Sequence, residues 1–63
     1  MSPYHLLTTT AEQKQIGKHI HDLDRWVVRE RDPQIARILR NEIEQLHLEW
    51  NHLQEKIEAE SRE

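Results

Sequence analysis

The sequence contains no cysteine and no phenylalanine, only one glycine, one tyrosine and two prolines, and no long apolar run. Each absence removes a class of protein. Without cysteine there are no disulfides, no zinc–thiolate site, no thiol redox chemistry and no cysteine nucleophile. No apolar stretch approaches the roughly 20 residues that a membrane span requires, and the N-terminus lacks a signal-peptide pattern. The chain therefore reads as soluble and cytoplasmic, in a host cytoplasm if it is phage-encoded. A hydrolytic triad is also excluded: Ser2 and Ser61 sit in the chain ends, and paired acids such as Asp22 and Asp24 diverge on a helix. The expectation is a protein that is not an enzyme and carries no cofactor.

What is present is helical periodicity. From Asp32-Pro33 onward, Ala36, Ile43, Trp50 and Ile57 alternate with Leu39, Leu46 and Leu53 at heptad spacing, and every core position is apolar. Asp32 suits an N-cap and Pro33 the first helical position, where its missing N–H costs nothing. Upstream, Ile16, Ile20, Leu23 and Val27 make a thinner stripe with Trp26 beside it. Thr9-Thr10-Ala11-Glu12 has the form of a capping box. These signals predict an all-α fold: an N-terminal arm over 1–9, then an antiparallel helical hairpin over 10–63. Helix one covers about 10–31 and helix two about 33–60. The only break is Arg29-Glu30-Arg31-Asp32-Pro33, too short for anything but side-by-side packing. The register pairs Val27 with Ala36, Leu23 with Leu39, Ile20 with Ile43 and Ile16 with Leu46. Leu6 and Leu7 are expected to tuck near Leu53 and Ile57, and the Glu-rich end after Ile57 to fray.

Sixty-three residues bury too little surface to stand comfortably alone. Trp26, Ile35, Ile38 and Leu48 fall off the hairpin stripe. Self-association into a helical bundle is therefore expected, with Ile35, Ile38, Leu48 and Trp50 at the oligomer interface.

The net charge of −3 is unevenly placed. Residues 13–40 carry +3 and residues 41–63 carry −5, so the turn end is basic and the opposite end acidic. Long duplex DNA needs a broader basic surface than this. Five histidines raise the question of metal, through Glu44-x-x-His47 and Glu49-x-x-His52. None of those four occupies a core position, and the two pairs lie on different sides of the helix, so no metal site is expected. His19 and His21 point to roughly opposite sides of helix one. Lys14 with Lys18, and Arg25 with Arg29, repeat an i,i+4 spacing. With Tyr4 and Trp26 they could form an aromatic-plus-cation pocket, or simply a solvated face. Gly17, alone inside helix one, marks either a close approach or a tolerated exposed position.

Three stretches together resemble the anti-CBASS sponge family, small phage helical hairpins that capture cyclic oligonucleotide signals. They are Pro3-Tyr4, the segment from Ile16 through Gly17-Lys18-His19-Ile20 to Leu23 and Trp26-Val27, and Ile38-Leu39-Arg40-Asn41-Glu42 followed by Leu46, Leu53 and Lys56-Ile57. His19 stands where that family tends to have lysine, Trp50 is one position off its usual aromatic, and the hairpin connection is shorter. The resemblance implies a homo-oligomer holding a cyclic di- or trinucleotide between protomers. Tyr4 or Trp26 would stack on bases, and Lys18, His19 and Arg25 would meet phosphate. The alternative from the residues is a protein-interaction module whose off-stripe apolar residues inhibit or scaffold a host protein. Binding of structured RNA by the arginine-rich turn is a weaker third.

Overall fold

In the computed structural model, which describes the backbone of residues 3–61 and the side chains of 8–61, the chain is two helices. Helix α1 spans Pro3–Arg29 and helix α2 spans Pro33–Ser61. They pack lengthwise as an antiparallel hairpin measuring 47 × 14 × 11 Å.

The turn forms as its residue types dictate. Asp32 Oδ1 accepts from the Gln34 N–H at 2.9 Å, and the Asp32 carbonyl accepts from the Ala36 N–H at 2.9 Å. Asp32 is thus the N-cap of α2 and Pro33 its first residue. Glu30 closes the turn from the other side. Its Oε1 accepts from the Asp32 N–H at 3.2 Å, and its Oε2 accepts from Trp26 Nε1–H at 2.9 Å. Arg29 Nε donates to the Arg25 carbonyl one turn back, at 3.2 Å.

The helices meet along one seam. Ile20, Leu23, Leu39 and Leu46 form its buried centre, and Ile16, Val27, Ile43 and Trp50 pack against them. Ala36 is buried next to the turn, where the connection leaves room for only a small side chain. These residues are the stripe that the heptads define.

Helix α1 is longer at its start than its capping signal suggests. The expected arm over 1–9 is helical from Pro3, and helix one ends at Arg29 rather than at residue 31. Thr9 is buried, because it stands four residues before Gln13 and seven before Ile16, on the seam itself. A hydroxyl followed by Glu three residues later arises equally well inside a helix. At the other end, Pro33 excludes helical geometry from its predecessor and draws residues 30–32 into the connection. The end of α2 is helical through Ser61, whose Oγ donates to the Ile57 carbonyl at 2.9 Å. The expected placement of Leu6 and Leu7 lies outside the described side chains.

Beyond the apolar centre the seam turns polar. Gln13 is buried, and its Nε2 donates to Gln54 Oε1 at 2.6 Å; Gln54 in turn donates to Glu58 Oε1 at 3.1 Å. A buried amide needs a partner, and a one-residue slip of the hairpin would cost this pair its bond. The pair therefore helps to set register at the open end.

Gly17 is approached closely by a side chain of the partner helix. A Cβ built there would lie 3.4 Å from Trp50 Nε1 and 3.8 Å from Trp50 Cδ1. Helical side chains lean toward their own N-terminus, so Trp50 leans toward the turn and reaches Gly17. A methyl group fits at ordinary contact distance. Gly17→Ala should stabilise the hairpin by about 0.5–1 kcal/mol through helix propensity, seen as a raised Tm. Gly17→Leu should lower it by displacing the indole. A Tm lowered by the alanine variant would contradict this packing.

Candidate functional site

The cationic residues of α1 sit on the side turned away from α2. Lys14, Gln15, Lys18, His19 and Asp22 line a shallow depression there. All are exposed. Lys14 and Lys18, one turn apart, share a helix face, and Gln15, His19 and Asp22 flank them on one side. Two ammonium groups and an imidazole face solvent across this surface, and a single carboxylate, Asp22, shares it. The arrangement has no wall on its outer side. It offers charge and hydrogen-bond donors to an anion, and it cannot enclose one unaided.

The residues expected to join this site are not gathered in one chain. Arg25 lines a second depression with His21, Asp24, Val28 and Arg29, farther toward the turn. Trp26 lies about two helical turns beyond Lys18 and is held by Glu30 through its indole N–H. The residue is half exposed, at 48%. The side chain of Tyr4 lies outside the described residues, although its backbone belongs to α1.

The expected interface residues divide in the same way. Ile35, Ile38 and Leu48 are exposed, Ile38 at 65% and Leu48 at 66%. Trp50, expected at an interface between copies, is packed within the hairpin on the core and over Gly17. Its heptad position already placed it on the seam. Leu48 lines a separate depression of α2 with Glu42, Gln45, Glu49 and His52. Among the described residues no group of three or more His, Asp or Glu could hold a metal ion, and no helix is long and apolar enough to cross a membrane.

Two features escape a reading by heptad alone. Glu30 links Trp26 to the turn; its signal is the Trp-x-x-x-Glu spacing, which places the two side chains one turn apart. Val28 is a large apolar residue left exposed near the end of α1. Comparison with protein-family models, with curated proteins and with solved structures finds no match to this chain.

Because Glu30 serves two donors, its loss should be felt at the turn. Glu30→Ala should destabilise the hairpin by about 1 kcal/mol, read as a lower urea midpoint. Glu30→Gln, which keeps one acceptor oxygen, should lose less. An unchanged midpoint in the alanine variant would show that these bonds add nothing.

Proposed function

We propose that the chain is a non-enzymatic binding protein that sequesters a cyclic oligonucleotide messenger between copies of itself. The observation that supports this most is the open cationic face of Lys14, Lys18 and His19. It is half a site, and a second protomer laid across it would supply the missing wall. Lys14 and Lys18, one turn apart, suit the phosphodiesters of a small ring, each of which carries a full negative charge. His19 adds a ring N–H donor. Stacking on the bases falls to Tyr4, as the resemblance to the anti-CBASS sponges implies. Capture is stoichiometric, so no catalytic group is required. A net acidic chain is compatible with such a ligand, because a few convergent cations decide the local field.

A second reading is a protein-interaction module that inhibits or scaffolds a host protein. The exposed Trp26, Ile35 and Ile38 around the turn favour it.

A thermal-shift series with cyclic di- and trinucleotides separates the two, with linear dinucleotides and inorganic phosphate as controls. A cognate ring in large excess over its Kd should stabilise the protein by about 2–4 kcal/mol. Lys18→Ala with His19→Ala should abolish the shift and leave the molecular mass in solution unchanged. The absence of a shift with every ring would overturn capture. A normal shift in the double variant would move the site elsewhere.

A further inference from the structure

The turn end of the hairpin carries an apolar cluster that the chain itself does not cover. Successive residues advance about 100° around each helix, and the seam fixes which direction faces the partner helix. On that wheel Trp26 of α1 and Ile35 and Ile38 of α2 share one flank of the hairpin, next to the turn. On the same flank, toward the open end, α1 has a shallow groove lined by Thr8, Ala11, Glu12, Gln15 and Ile16, largely apolar in surface.

The two ends also differ in charge. Around the turn, Arg25, Arg29, Arg31, Arg37 and Arg40 against Glu30 and Asp32 leave +3. At the open end, residues 8–14 and 49–61 leave −3. The molecule is a rod with opposite charge at its two ends.

Its exposed area is large enough to seat a neighbour. The chain exposes 5375 Å², whereas a compact monomer of 7.7 kDa exposes about 4,300 Å². The excess, about 1,000 Å², is close to the ~800 Å² that each partner contributes to a standard interface. Among the described residues no large side chain is fully buried, so the hairpin core remains wet at its edges.

We infer that this flank seats a second copy of the chain, antiparallel to the first, with the Trp26–Ile35–Ile38 cluster of each copy in the Ala11–Ile16 groove of the other. A two-fold axis near the middle of the rod makes both contacts at once. It sets each basic turn against the partner's acidic open end. Parallel pairing would put arginine-rich turns side by side and like charge at both ends. The dimer does not depend on any nucleotide. It covers Trp26 and the Gln15–His19 edge of the cationic face, so base stacking in the proposed capture rests on Tyr4 and phosphate pairing on Lys14 and Lys18.

Sedimentation equilibrium of the full chain without ligand should give twice the 7.7 kDa chain mass. Ile38→Glu, at a position exposed in the hairpin, should weaken the dimer by roughly tenfold or more while the helical content is kept. Ala11→Arg should do the same from the groove side. Because the chain has no cysteine, a single spin label at Arg31→Cys reports orientation. The two labels should lie more than about 30 Å apart, since each hairpin is 47 Å long and helices rise about 1.5 Å per residue. Raising the salt should weaken the dimer, because opposite charges meet. A monomer at tens of micromolar, or a dimer untouched by both variants, would overturn the inference. So would turn labels close together, or association strengthened by salt. The nucleotide reading fails separately, on the thermal-shift series.

Discussion

A single seam between two helices carries the whole structure. Ile20 and Leu23 on one side meet Leu39 and Leu46 on the other, and every other packed residue is arranged around them. Burying a side chain of this size contributes about 1.5–3 kcal/mol, and the seam holds few of them. There is no second layer to add more. The length of the helices follows from this: a two-helix protein can enlarge its core only by extending it, and the result is a rod 47 Å long.

The seam changes character along its length, and each part has a different task. Near the turn it narrows on Ala36, and Asp32 and Glu30 tie the connection to both helices. The middle is apolar and supplies most of the burial. Toward the open end Thr9 and the Gln13–Gln54 pair join the seam beside Leu53 and Ile57. Polar layers cost stability relative to a well-packed apolar one, and they penalise the wrong register. A chain whose helices could slide by a heptad gains from such a layer at the end farthest from the turn. The outer faces are left to charge, and their polarity from end to end is the strongest long-range feature of the surface.

Much of the fold was legible in the sequence, because the signals were local and repeated. Heptads from Ala36 to Ile57 placed α2, and Asp32-Pro33 located its start to the residue. The start of α1 is not legible in the sequence, because Thr9 and Glu12 imitate a cap while serving as interior positions of a longer helix. Gln13 does not announce itself as a seam residue, since a glutamine on an apolar stripe reads as a gap and its partner stands forty-one residues away. The site was less legible than the fold. Lys14 and Lys18 do share a face, as their i,i+4 spacing requires, and His19 lines the same depression. Arg25 and Trp26 do not join them, because the first lines a different depression and the second is held at the turn by Glu30. Periodicity reports which way a helix faces; it does not report what a neighbouring chain brings to that face.

The claim on which all of this rests is that the seam forms within one chain. The most direct test is a double electron–electron resonance distance between labels at Thr10→Cys and Asn51→Cys, on labelled chains diluted in unlabelled protein. An intrachain hairpin, with helix axes about 8–10 Å apart, places the two labels within about 25 Å of each other. If the turn instead opened into one continuous helix that paired only with other chains, forty-one residues at about 1.5 Å each would hold them about 60 Å apart, and the account would be wrong.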